Sequence, residues 1–338
     1  MKAIILNKPG QFENITKPQP ASPAEGEVLL KIKHVSICGA DLHAYNGKQP
    51  FFNYPRILGH EIAAEVVEVG SGVENIQPGD SCTVEPYRNL AIDQAVKKGK
   101  TNCGSKLTVL GVHEDGAMQE YITYFASNVH VTNELPAEQV SLVEPFAIGA
   151  HAVERAELSH SDTILVIGAG PIGLGIIALA RLEGVKIVLL DVNKNRLDFA
   201  KQKFPEIKTL LLSDTVIEDL QKIFGGDLPT VIFDATGNKT SMQNSFNYVA
   251  AGGTIVFVGL FVGEVVFDDP NFHRKEITLK ASRSARARDF VKVISLLKAG
   301  LIDTSGYITH RIPFDDLTKE FEKLYLPEEN VIKAIINF

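Results

Sequence analysis

Two rhythms of apolar residues divide this chain. Through the first 80 residues, short apolar runs are broken every few positions by turn residues. Residues 28–33 and 62–69 read as strands, the second closed by Gly70, and Pro78-Gly79-Asp80 is a tight turn into a strand at 81–84. Such β-rich runs with frequent turns predict a small barrel-like or irregular β domain rather than a helical bundle. From about residue 160 the runs become continuous: 163–167, 186–190, 209–212, 231–233 and 254–258. Helical stretches lie between most of them, the first ending at Gly184. Continuous apolar strands alternating with helices predict a parallel sheet covered on both faces. Beyond a strand at 277–279, residues 289–298 read as a helix and 331–336 as a closing strand. The expected class is therefore α/β, a β-rich domain plus a doubly wound parallel sheet.

Composition narrows the function classes. A length of 338 residues is long for one core and suits two domains. With 45% hydrophobic and 22% charged residues, the chain reads as an ordinary soluble globular protein. A net charge of −7 speaks against a nucleic-acid or anionic-membrane partner. The N-terminal segment reads as a first strand and turn rather than a signal peptide, and no run approaches the roughly 18 apolar residues that span a bilayer. An odd count of 3 cysteines argues against a disulfide framework and for the reducing cytoplasm.

The sequence Gly168-Ala169-Gly170-Pro171-Ile172-Gly173 follows an apolar strand directly and opens a helix, the context that gives a GxGxxG motif its meaning. Gly168 permits the tight turn, Gly170 admits the pyrophosphate, and Gly173 allows close helix–strand packing. The helix start supplies unpaired N–H groups, with Pro171 and Ile172 in its first turn. Asp191, ending the second strand, is placed to accept both ribose hydroxyls and to repel a 2′-phosphate, so NAD is expected over NADP. Arg196 is the nearby feature that would admit that phosphate. Thr236, Gly259 and Leu260 lie at the carboxyl ends of two further strands, where their backbone packs against ribose or nicotinamide or merely turns.

A second constellation precedes the nucleotide loop. Cys38 in Cys38-Gly39-Ala40-Asp41-Leu42-His43, His60 and Glu61 in Gly59-His60-Glu61, and Glu144 offer thiolate, imidazole and carboxylates to one metal ion. Zinc takes these donors, and a catalytic site keeps one position open. Glu144 is the fourth group, direct or through water, and Asp41 is placed to accept the free N–H of His60. A metal that polarises an alcohol, ahead of a dinucleotide site, is the equipment of a hydride-transfer dehydrogenase.

On these residues, together with Gly79-Asp80 and Glu144-Pro145, the chain resembles the zinc-dependent medium-chain dehydrogenases, a family including polyol and threonine dehydrogenases. The resemblance implies a GroES-like catalytic domain at 1–148 and 284–338, a Rossmann domain at 149–283, a cleft between them, and homodimers or homotetramers. It also implies a small-molecule alcohol as substrate. Two departures stand out. Family members usually carry a structural zinc lobe with four cysteines spaced C-x2-C-x2-C-x7-C. Here Leu90, Asp93, Val96 and Gly104 hold those positions, with Cys103 adjacent to the last, so this site is expected to be empty and the lobe held by packing. Where the family places Ser or Thr to begin a proton relay, this chain has Ala40, leaving His43 as the outer relay with water bridging the gap.

Within the family, residues 47–56, 144–148, 257–261 and 269–273 are similar to bacterial sugar-acid oxidoreductases, implying an L-galactonate-like substrate. An acid substrate wants a cation, and Arg283 emerges near the cleft by analogy with polyol dehydrogenases, or is one surface arginine among Arg286 and Arg288. Phe51 and Phe52 wall the pocket or belong to the core. A polyol, a vicinal diol or L-threonine is the competing substrate, and an NAD(H)-binding regulator with little turnover is the competing class.

Overall fold

A computed structural model describes residues 1–338, the side chain of Pro327 excepted. The chain folds as two compact units, Met1–Ala147 with Ala285–Phe338, and Ile148–Ser284. In the first, a seven-stranded sheet runs in the order Val129–Val131, Ser81–Val84, Glu61–Val69, Glu27–Ser36, Lys333–Asn337, Ile308–Pro313, with Tyr121–Phe125 also paired to Glu27–Ser36. The chain's last strand thus pairs with one of its first, antiparallel, in the register Ile335↔Ser36. A three-stranded sheet, Gln11–Thr16, Lys2–Lys8 and Arg56–Ile57, belongs to the same unit. One core joins them, built from Ile4, Leu6, Leu30, Ile32, Ile57, Ile62, Met118 and Phe321 among others.

The turn-rich rhythm of the early residues yields this β domain, and the continuous apolar runs yield the second unit. There six parallel strands lie in the order Lys208–Leu211, Lys186–Asp191, Thr163–Ile167, Val231–Asp234, Thr254–Phe257, Thr278–Ala281. Counted along the chain that is 3-2-1-4-5-6, the doubly wound dinucleotide-binding order. Helices Pro171–Ala180, Lys194–Lys203, Val216–Phe224 and Lys239–Tyr248 alternate with the strands. Leu165, Val188, Ile232 and Ile255 are fully buried, as strands covered on both faces require. Among the described residues, no helix is long and apolar enough to cross a membrane.

Candidate active site

Strand pairing brings the candidate metal ligands together. Ser36, the last residue of its strand, pairs with Glu61, the first of the next, so Cys38 and His60 emerge just beyond the same edge. Gly59 makes the approach of His60 possible. Its φ is +98°, and a Cβ there would meet Val35 Cγ1 at 2.9 Å. Cys38 caps the helix Gly39–Tyr45, and its N–H donates to Asp41 Oδ2 at 2.9 Å. The ligating atoms of Cys38, His60 and Glu61 lie within 4.8 Å of one another. Glu144, in the first turn of the helix Val143–Ala156, lies outside that mutual set, though its charge acts on His60.

Neighbours absent from the sequence reading surround the cluster. Lys333 Nζ donates to both carboxylate oxygens of Glu61, at 2.8 and 2.6 Å, and to the Ile37 carbonyl at 3.2 Å. Lys333 is only 3% exposed and Glu61 not at all. The Ser36 hydroxyl also donates to Glu61, and the Tyr87 phenol donates to Glu144 Oε1. The signal available was a lone lysine inside the apolar closing strand, where an unpaired ammonium is not tolerated.

Burial and charge set the ionisation of the group. Burial pushes the Cys38 thiol up, and Glu61 adds to it. Burial likewise carries Glu144 to about 7. For His60 burial opposes the charge, but Asp41 and then Cys38 outweigh it and hold the imidazole well above its ordinary range. Lys333 is raised because Glu61, and then Cys38, overcome its burial; Glu61 is lowered because the Lys333 ammonium overcomes its own. A bound cation would reverse these tendencies, because binding to it requires the Cys38 thiolate and a neutral His60.

One expectation is corrected. The hydrogen bond from His60 to Asp41 is not made: Nδ1 stands 3.8 Å from Asp41 Oδ1, and this buried nitrogen has no hydrogen-bond partner. The reason is local, since Asp41 Oδ2 is committed to the start of its own helix. A buried thiol, imidazole and carboxylate converging on one point are a donor set that fits zinc.

In the second unit, a cavity of about 360 Å³ is lined by Gly168, Asp191, Thr236, Asn244 and Tyr248 among others. Asp191 secures the loop beside it, accepting from Ala169 N at 2.5 Å and Asn193 N at 2.7 Å. Gly173 must be glycine, because a Cβ there would lie 1.8 Å from the Gly168 carbonyl oxygen. Gly170 opens the helix Pro171–Ala180 as its N-cap, with Pro171 at the first position and Ile172 next. Arg196 approaches Gly170, its Nη1 4.0 Å from where a Cβ would stand. Gly259 packs so tightly on Gly237 that a Cβ would meet its nitrogen at 2.1 Å. Gly259 and Leu260 belong to the same sheet edge but do not line the cavity.

The remaining residues are placed less centrally. His43 lies exposed on the helix after Cys38. Phe52 packs edge-on against Tyr54, with centroids 4.7 Å apart, while Phe51 is 59% exposed. Arg283 follows the strand Thr278–Ala281 and is exposed. The lobe after Tyr87 is held by more than packing, contrary to expectation. Asp93 accepts from Val96 N at 3.0 Å and Ser105 N at 2.6 Å, and Asn89 donates to the Thr101 carbonyl at 2.8 Å. At Gly104 a Cβ would meet Asn89 Oδ1 at 1.8 Å, so a cysteine there would have to displace the Asn89 side chain.

Comparison with known proteins agrees with this geometry. Residues 24–134 match the alcohol dehydrogenase GroES-like domain and residues 171–299 the zinc-binding dehydrogenase domain. The chain is 42% identical to L-galactonate-5-dehydrogenase of Escherichia coli K12, over 100% of this chain and 99% of that protein. It is 30% identical to sheep (Ovis aries) sorbitol dehydrogenase, over 95% and 92%. Among solved structures, an E. coli CFT073 alcohol dehydrogenase complexed with cofactor NADH superposes with a TM-score of 0.92 at 30% identity, covering 100% of this chain and 99% of that one. The full-length likeness, the two matched domains and the buried donor cluster lead to one conclusion: this chain belongs to the zinc-dependent medium-chain alcohol dehydrogenases.

Proposed function

We propose that this enzyme oxidises a secondary alcohol of an L-galactonate-like sugar acid to the ketone, with NAD as hydride acceptor and one zinc ion per chain. The observation that carries the substrate class is the 42% identity to an L-galactonate-5-dehydrogenase along the whole chain. Cys38, His60, Glu61 and Glu144 are the residues that would hold the metal. When bound there, zinc supplies a Lewis acid that makes a hydroxyl easier to deprotonate.

The chain's own residues do the rest. The loop 168–173 offers backbone N–H groups to the pyrophosphate, and Asp191 offers its carboxylate to the ribose, favouring NAD over NADP. Thr236 borders the nucleotide cavity at the next strand end. His43 is suited to carry the proton outward. Partial desolvation of the ring, and then the charge of Lys48, lower its pKa and favour the neutral, proton-accepting form. Water spans the position that Ala40 leaves without a hydroxyl. His43→Ala should distort the pH–rate profile, and an unchanged profile would remove His43 from the path. Arg283 is the cation offered to the substrate carboxylate, and Phe51 and Phe52 are the apolar wall. The family habit of forming homodimers or homotetramers is extended to this chain on the same grounds, as is a cytoplasmic location.

The test is NADH formation across sugar acids, polyols, vicinal diols and L-threonine, each with and without chelator. Chelator-sensitive turnover of L-galactonate well above the rest is expected. Turnover of a polyol or L-threonine alone would reject the sugar-acid assignment and keep the enzyme. NADH binding without turnover of any alcohol in the panel would favour a regulatory role.

A further inference from the structure

Tyr87 is a buried phenol that neither the nucleotide site nor the donor set accounts for. It is 6% exposed, and its hydroxyl donates to Glu144 Oε1. Its backbone leaves it little freedom. Asn128 Nδ2 bonds the carbonyls of Glu85 and Tyr87, at 3.3 and 3.0 Å, and Leu110 N donates to the Pro86 carbonyl at 2.9 Å. Tyr87 also opens the strand Tyr87–Asn89, paired with Leu107–Val109 in the register Tyr87↔Val109. That strand leads into the lobe ordered by Asp93 and Asn89. The other end of the bond is equally fixed, since Glu144 sits in the first turn of a 14-residue helix.

We propose that Tyr87 is a positioning residue for the metal centre: its phenol occupies one oxygen of Glu144 and turns the other toward the ion. A glutamate has three rotatable side-chain bonds, and a rigid donor on one oxygen removes most of that freedom before the metal arrives. Hydrogen bonds of this kind orient a ligand and tune its basicity. The lobe, without cysteine at the four ligand positions, therefore keeps a task, because it carries the residue that aims a ligand of the catalytic site. The inference rests on the reading that Glu144 is a metal donor.

The experiment compares Tyr87→Phe, Glu144→Gln and the double variant with the parent protein. Each is stripped of metal, titrated with Zn²⁺ against a chromophoric chelator, and separately loaded with Co²⁺ for its visible absorption. Tyr87→Phe should weaken zinc binding roughly 10–100-fold, the range for lost partners of metal ligands, and should alter the Co²⁺ bands. On the Glu144→Gln background, Tyr87→Phe should add nothing. Site-specific 3-fluorotyrosine at 87, whose more acidic phenol is a stronger donor of the same shape, should shift the Co²⁺ bands. It serves if Tyr87→Phe does not fold, when parent-like bands would overturn the role of Tyr87. Parent-like affinity and spectrum in Tyr87→Phe, with weakened binding in Glu144→Gln, would overturn the role of Tyr87 alone. Parent-like binding in Glu144→Gln would overturn the assignment of Glu144 as a donor, and this inference with it.

Discussion

At the metal cluster, Asp41, His60, Glu61, Glu144 and Lys333 are buried together around Cys38, whereas the nucleotide loop 168–173 contains no ionisable side chain at all. The first site is made of side chains whose charges hold one another in place. The second is made of backbone, and its close packing depends on where side chains are missing. The two therefore differ in what breaks them. A change of chemistry at constant shape damages the cluster, and a change of shape at constant chemistry damages the loop.

The largest expected effect tests the first half of that statement. Cys38→Ser keeps the shape nearly intact and replaces the thiol proposed to bind the metal with a poor ligand. Activity should vanish while NADH binding, read by fluorescence titration, stays at the parent level. Retained turnover would take the cluster out of the mechanism. Next comes Lys333→Met, which leaves Glu61 buried without its ammonium. Removing one partner of a buried pair costs about 3–5 kcal/mol. Denaturant unfolding of the metal-free protein should show that loss, and pairing Lys333→Met with Glu61→Gln should recover part of it. Equal stability of Lys333→Met and parent would mean that the pair contributes nothing.

The same contrast explains what could be read from the sequence. The fold class followed from the two apolar rhythms, and the loop 168–173 was legible because strand, glycines and helix are contiguous. Cys38, His60 and Glu61 were legible because donor types cluster around two short turns. Lys333 was not, because 272 residues separate it from Glu61 and only the pairing of the last strand with Glu27–Ser36 brings them together. Tyr87 was missed for a related reason. An aromatic beside Pro86 reads as core, and nothing local indicates that its hydroxyl meets the helix carrying Glu144. The Asp41 contact failed in the opposite sense: the spacing was right, but the carboxylate had a nearer donor in the Cys38 N–H.

Gly173→Ala probes the loop with a single methyl group. The added carbon would start 1.8 Å from the Gly168 oxygen, so loop and helix must part. Overpacking of this sort costs about 1–3 kcal/mol, and the same displacement should reduce NADH binding. Zinc content should be unchanged, the mirror image of Cys38→Ser. Undisturbed NADH binding would show that the loop tolerates a wider approach than its geometry implies.

The smallest expected effect concerns the lobe, where the side chains of Asp93 and Asn89 hold the backbone together. Asp93 bridges two parts of the lobe with its two oxygens, Oδ1 to Val96 N and Oδ2 to Ser105 N. These bonds to Val96 and then Ser105 pull its pKa from the ordinary 3.8 down to about 2. Asp93→Asn keeps an acceptor for the helix start but presents an amide where the Ser105 N–H needs an oxygen, so the melting temperature should fall modestly at neutral pH. The sign of the pH dependence follows from the depressed pKa. The carboxylate's stabilisation is fully present above about 3.8 and is lost as pH falls through about 2. The gap in melting temperature between parent and Asp93→Asn should therefore be constant from neutral pH down to about 4 and close below it. A gap that persists unchanged to pH 2 would mean that the carboxylate's charge is irrelevant to the lobe. A second zinc ion bound there would mean that the lobe is organised by metal after all.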